Sequence, residues 1–203
     1  MRFALCLFGI ARQEVSPLGH TIDYRKSLIN YREKLLPYFL SRGTVDVYLC
    51  TNTLTQEEKT ELIRDYSPVS IQCLDNLGNR YRSRNQKICT VVSSVLNRDY
   101  DAICVTRFDL IFMDSLEDVP IDLTRMNITS VLEEPKFICD NFYLFPGSML
   151  QPFYETLRSF DGNHHYIQPT LEATLKQPIH FFKNERVRVP DLSFYKLYRF
   201  AKV

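Results

Sequence analysis

Four short apolar runs, separated by stretches of helical spacing, limit the folds open to this chain more than any other feature. Residues 3–9 (FALCLFG), 45–51 (VDVYLCT), 69–74 (VSIQCL) and 101–107 (DAICVTR) read as strands. The first is apolar without alternation, as expected of a strand buried on both faces. Between the first two runs, residues 23–41 place Leu28, Ile29, Tyr31, Leu35, Leu36, Phe39 and Leu40 at helical spacing, with Pro37 expected to kink or break the helix. Thr55 and Glu58 form a capping box for a short helix to about residue 66. Ser83 is expected to cap a helix running to about Asn97, with Ile88, Val91, Val92, Val95 and Leu96 as its apolar stripe. Strand–helix repetition of this kind predicts an α/β fold with a doubly wound, mostly parallel central sheet flanked by helices.

After residue 107 the alternation loosens, so the sheet is expected to become mixed. Residues 127–132 and 137–145 read as neighbouring strands, followed by a helix over about 148–160. A second helical stretch lies near 169–176, a short strand at 179–182, and a polar tail with aromatic residues from 190 onward. There is no internal repeat, low-complexity stretch or Pro/Gly-rich linker, so one domain over 1–203 is expected, large enough to bury a substantial core. A formal net charge of +1 argues against a general binder of nucleic acid or membrane surfaces. The first apolar run ends at Gly9 and is followed by Arg12 with no small-residue cleavage site. It is too short for most signal sequences or for a transmembrane segment, and a buried strand is the better reading. Six cysteines, none in a CxxC pair and most inside apolar runs, point to reduced core thiols and a cytoplasmic location.

Open α/β sheets bind ligands beyond the carboxyl ends of their strands, and that rule selects four stretches. In FGIARQ (8–13), Gly9 lets a ligand approach the backbone and Arg12 can reach a phosphate; a plain turn with a surface arginine is the alternative. NRYRSRNQK (79–87) gathers Arg80, Arg82, Arg84 and Lys87 at a helix start, which is either a diphosphate cradle or a solvated charged loop. In TRFD (106–109), Asp109 can hold a divalent cation that bridges two phosphates, Arg107 can touch phosphate directly, or the two residues form a structural ion pair that ends the strand. In CDNFYLF (139–145), Asp140 and Asn141 interrupt an apolar run, as a general base beside an aromatic wall or as a polar strand end. His180 lies on a late strand that could return to the ligand edge, although a core histidine is the commoner outcome; His164 and His165 read as an exposed loop. No nucleophile elbow, P-loop or kinase signature is present.

Taken together, ALCLFGIARQ, VDVYLCTN, RNQK and YDAICVTRFDLIF resemble nucleotide-sugar-dependent glycosyltransferases of the GT-A type. The nearest likeness is to the small glycosyltransferase domains encoded by large algal (chlorella) viruses and to related bacterial polysaccharide enzymes. It runs in order through about residue 145, with TRFDLIF as its most specific element, and the C-terminal quarter has no such counterpart.

The resemblance implies a single GT-A-like domain with a Rossmann-like N-terminal half. Residues 1–115 would form the nucleotide-sugar-binding half and 116–203 the acceptor-side half, standing alone or as one module of a longer chain. Phe8, Gly9, Ile10 and Arg12 would line the nucleotide pocket, and Arg84 would face the nucleotide or diphosphate. RFD would stand where GT-A enzymes carry their DxD motif, making Asp109 the contact to Mn²⁺ or Mg²⁺. Arg107 replaces the first acid and would supply part of the positive charge itself. Asp140 would lie near the acceptor as the base of an inverting enzyme, and His180 would approach the metal or diphosphate. Phe142, Tyr143, Phe145, Phe153 and Tyr154 would exclude water and stack on sugar rings.

The implied activity is hexosyl or pentosyl transfer from a nucleotide-diphosphate sugar, with a UDP sugar as the expected donor, to a glycan hydroxyl. The work would be done in the cytoplasm, the host's if the chain is viral, with no nucleic-acid partner. Two alternatives stay open. One is a nucleotide-sugar or carbohydrate-binding module without turnover. The other is a sugar nucleotidyltransferase, weakened by the lack of a glycine-rich, lysine-containing loop near residue 10.

Overall fold

The computed structural model describes residues 1–13, 21–75, 80–130, 138–139, 141–160, 166–183 and 194–197. The chain opens with β1 (Arg2–Phe8), then a small ladder of β2 (Arg12–Gln13) with β3 (Ile22–Asp23). Next come α1 (Arg25–Asn30), a π-helical turn (Tyr31–Leu35), α2 (Leu36–Leu40), β4 (Thr44–Thr51), α3 (Gln56–Tyr66) and β5 (Ser70–Cys73). After α4 (Arg80–Ser93), β6 (Ala102–Arg107) and β7 (Leu110–Phe112) follow β8 (Asn127–Ile128), β9 (Phe142–Pro146), α5 (Leu150–Ser159), α6 (Gln168–Leu175), β10 (His180–Phe181) and β11 (Tyr195–Leu197). The main sheet has seven strands in the order β10-β8-β9-β6-β1-β4-β5. β9 pairs antiparallel with both neighbours and every other pairing is parallel, so all strands but β9 point the same way. The expected α/β fold with a mixed, mostly parallel sheet is what forms.

The uninterrupted apolar run of β1 is explained by its place at the centre of this sheet. Phe3, Leu5 and Leu7 pack with Tyr24, Leu28, Tyr31, Leu35, Phe39 and Leu62 from the α1–α3 side. Ala4, Cys6 and Phe8 pack on the other face with Ile88, Val91, Val92 and Val95 of α4 and Phe153 of α5. Both faces are dry, so there is no position at which a polar residue could alternate.

Local chemistry accounts for the helix boundaries. Thr55 accepts a hydrogen bond from the Glu58 amide at 3.2 Å, while the Glu58 carboxylate accepts one from the Thr55 amide at 2.9 Å, so the capping box forms as expected. The break expected at Pro37 takes the form of a π turn. Pro37 has no N–H to continue the α-helical ladder, and the Leu36 amide donates instead to the Tyr31 carbonyl, five residues back. Two boundaries differ from expectation. α4 begins at Arg80 rather than after Ser83, because arginine is itself a good helix former. It ends at Ser93, beyond which i→i+3 bonds such as Val95 N–H to Val92 O (3.1 Å) tighten the chain into turns.

In the second half, the described part of the strand expected over 127–132 forms at Asn127–Ile128 and that of the strand expected over 137–145 at Phe142–Pro146, while 131–137 and 140 lie outside the described residues. β11 had no sequence signal. It pairs antiparallel with β7, Leu197 opposite Leu110, and brings Phe194 into a group of edge-to-face rings with Phe112, Phe142 and Phe182. Residues expected in a polar tail thus complete a core: Phe194 is 1% exposed and Tyr195 is fully buried. All six cysteines are free thiols, with Cys6, Cys50, Cys104 and Cys139 buried. No helix among the described residues is long and apolar enough to cross a membrane.

Candidate functional site

The parallel strands deliver their carboxyl ends to one edge of the sheet, and β9, running the other way, begins there. From β1 the sheet grows toward β4 and β5 on one side, while β6 lies on the other, so the strand order reverses between β1 and β6. A crevice at such a reversal is where open α/β sheets take their ligands.

β1 ends there with Phe8 in register with Arg107 at the end of β6, and the Phe108 amide donates to the Phe8 carbonyl at 3.2 Å. The next residue, Gly9, has φ of +118°, and no atom lies within 4 Å of where a β-carbon would sit. The turn is tied down from β4: the Gly9 amide donates to the Cys50 carbonyl (3.2 Å) and the Ala11 amide to Thr51 Oγ1 (2.9 Å). Ile10, between them, is partly exposed. Arg84 reaches in from α4. Its guanidinium lies 5.7 Å from the centre of the Phe8 ring and donates to Asn141 Oδ1 at 3.3 Å. Lys87, one turn further along α4, is 2% exposed, and burial lowers its pKa against the opposing pull of Cys50 and Asp75. Phe8, Gly9, Arg84 and Asn141 thus meet at the reversal point, with the backbone of Arg107 in register beside Phe8.

Arg107 and Asp109 form a side-on, two-bond pair. Nε donates to Oδ1 at 2.7 Å and Nη2 donates to Oδ2 at 2.6 Å. The carboxylate is the more deeply placed partner, with side-chain exposures of 15% for Arg107 and 4% for Asp109. The turn that carries them is held from α1 and the π turn. Tyr31 OH donates to the Arg107 carbonyl, Ser27 Oγ donates to the Phe108 carbonyl at 2.5 Å, and Asn30 bonds both the amide (2.7 Å) and the carbonyl (2.9 Å) of Phe112. Sequence reading missed Ser27, Asn30 and Tyr31 in this role. The available signal was polar atoms recurring at helical spacing along an otherwise apolar stripe.

Other candidates lie apart from this cluster. The Arg12 guanidinium is drawn to α3, 3.5 Å from Glu58 and 3.8 Å from Glu61. His180 donates through Nε2 to the Pro120 carbonyl at 2.7 Å. It pairs with Asn127, which pairs with Leu144, which pairs with Cys104, so His180 is level with Cys104 and three strands from β6. That places it about 14 Å across the sheet and about 10 Å along it from Arg107, at roughly 4.8 Å per strand and 3.3 Å per residue. Asp140, His164, His165 and the side chains of Arg80 and Arg82 lie outside the described residues.

These positions bear on the expected divalent cation. Ligands of one ion sit within about 2.0–2.6 Å of it, so His180 and Asp109 cannot share one. Both Asp109 oxygens already accept from a guanidinium, and among the described residues no three His, Cys, Asp or Glu side chains group as a cation would need. The described donor set therefore does not fit Mn²⁺ or Mg²⁺.

No protein-family model and no curated protein matches the sequence. Solved structures do match. The chain superposes on a mutant β-1,4-galactosyltransferase 7 from Drosophila, crystallised with manganese, UDP-Gal and xylobiose, at a TM-score of 0.51 and 9% identity, over 97% of this chain and 70% of that one. It superposes on 4-diphosphocytidyl-2C-methyl-D-erythritol synthase at 0.50 and 11% identity, over 94% of each chain. The glycosyltransferase GlyE of Streptococcus pneumoniae TIGR4 aligns at 0.48 and 10% identity, over 98% of this chain and 55% of its own length.

The fold is GT-A-like. At these identities the likeness speaks for architecture, and the same architecture carries both a galactosyltransferase and a diphosphocytidyl synthase.

Proposed function

We propose that the chain is a glycosyltransferase that moves a sugar from a nucleotide-diphosphate sugar, a UDP sugar in the first instance, to a glycan hydroxyl. The observation that carries this reading is the strand-order reversal itself, where the Arg84 guanidinium from α4 lies by the Phe8 ring, β6 ends at Arg107 in register with Phe8, and the backbone of Gly9 is open. Sugar transfer builds negative charge on the departing diphosphate, and fixed cations aimed at that charge lower the barrier. Arg84 brings a guanidinium to the end of β1, and Arg107, held by Asp109, supplies oriented N–H groups. Gly9 leaves room for a ligand close to the β1 turn.

Residues 1–115 supply the donor side of this site and 116–203 the acceptor side. Asp140 is assigned the role of base on the acceptor hydroxyl; in sequence it stands between Cys139 and Asn141, both buried.

Incubation with a panel of nucleotide sugars and glycan acceptors tests the reading. Glycosylated acceptor with free UDP in equal amount is the expected result. Pyrophosphate release from a nucleoside triphosphate and a sugar phosphate would assign a nucleotidyltransferase instead, and saturable UDP-sugar binding without turnover would assign a binding module. Asp140→Asn is expected to abolish transfer while leaving UDP binding intact; unchanged transfer removes Asp140 from the mechanism.

A further inference from the structure

We propose that Asp109 is a positioning residue for the Arg107 guanidinium and not a ligand of a divalent cation; the role of the guanidinium toward a diphosphate rests on the function proposed above. Geometry carries the assignment. Both carboxylate oxygens face Arg107, at 2.7 and 2.6 Å, in the side-on fork that fixes a guanidinium in plane as well as in position. Asp109 is 3% exposed and lies deeper than its partner, so the arginine is the more exposed member of the pair. The backbone beneath is fixed as well, with the carbonyls of residues 107 and 108 bonded to Tyr31 and Ser27. A dication bound to either Asp109 oxygen would have to sit beside a guanidinium already in contact with that carboxylate, and like charges so close repel strongly in a buried setting.

The pair is neutral as a unit, which defines what it can contribute. It adds little net charge. It adds instead a guanidinium whose orientation is set before any anion arrives, with Nε and Nη2 both donating to the carboxylate. Preorganised donors of this kind bind an anion without reorganisation, and Arg84 on the neighbouring helix brings a second guanidinium to the end of β1, 5.7 Å from the Phe8 ring.

Three measurements on the whole chain test the assignment. Mn²⁺ titration followed by electron paramagnetic resonance, with UDP present, is expected to give affinities within about twofold for the wild type and Asp109→Asn, a difference too small to count as a lost ligand. A loss of tenfold or more in the variant overturns the assignment. Calorimetric titration with UDP in metal-free buffer is expected to show Asp109→Asn and Arg107→Gln weakening binding, with the double variant no weaker than Arg107→Gln alone. A further tenfold loss in the double variant means that Asp109 acts independently of Arg107, and the assignment fails. The third readout needs neither substitution nor ligand. The Arg107 Nε–H resonance in a ¹H–¹⁵N spectrum of the wild type is expected to be sharp and slow to exchange, and rapid exchange averaged with surface arginines overturns the assignment. If the wild type binds no UDP, the proposed function fails, while the metal titration and the arginine resonance still decide the role of Asp109.

Discussion

Gly9 and Arg84 show how single residues set this site. At φ of +118° an L side chain is strained even though nothing crowds the position, so Gly9→Ala is expected to cost about 1–2 kcal/mol in chemical denaturation. Arg84→Ala is expected to weaken UDP binding at least tenfold by calorimetry, since a charge-assisted hydrogen bond is worth about 1.5–3 kcal/mol. Both residues stood out in the sequence, Gly9 as a lone glycine ending an apolar strand and Arg84 within a basic run at a helix start. The link between Arg107 and Asp109 was visible only as a set of possibilities, because alternation puts two such residues on one side of a strand without saying whether they face each other or a ligand. His180 was not legible in this respect. Its distance from β6 is fixed by β8 and β9 lying between them, and pairing order of that kind has no local sequence signature.

Among the elements, those with short-range chemistry were the most readable. The Thr55–Glu58 box is local, and Thr55→Ala is expected to lower stability by about 1 kcal/mol in thermal or urea unfolding without altering UDP binding. The site-facing role of the π turn was hidden, since Tyr31 reads as part of an ordinary apolar stripe while its hydroxyl holds a turn more than seventy residues away in sequence. β7 and β11 show the same limit. Three-residue strands that pair across so long a separation leave no periodicity to detect, and their residues could be placed only as a run and a tail.

For the whole molecule, two expectations follow from the ends of the sheet. Phe194 fills the ring cluster with Phe112, Phe142 and Phe182, so Phe194→Ala is expected to cost about 3–5 kcal/mol, measured by chemical denaturation. At the opposite edge, Asp46 accepts from Tyr100 and pairs with Arg2, each at 2.7 Å, and these bonds outweigh its partial burial to hold the carboxyl below its ordinary range. A carboxyl depressed by folding stabilises the native state above its unfolded pKa and loses that contribution as pH falls through the lower folded value. The melting temperature is therefore expected to fall below about pH 4, and to fall less in Asp46→Asn. The reversed direction of β9 also tells an engineer where to cut and paste. A segment grafted into the connection that enters this strand would be displayed beside Arg84 and Arg107 and could retune what the protein accepts. The same graft placed after Pro146 would emerge on the far rim, near Tyr100, and leave selectivity untouched.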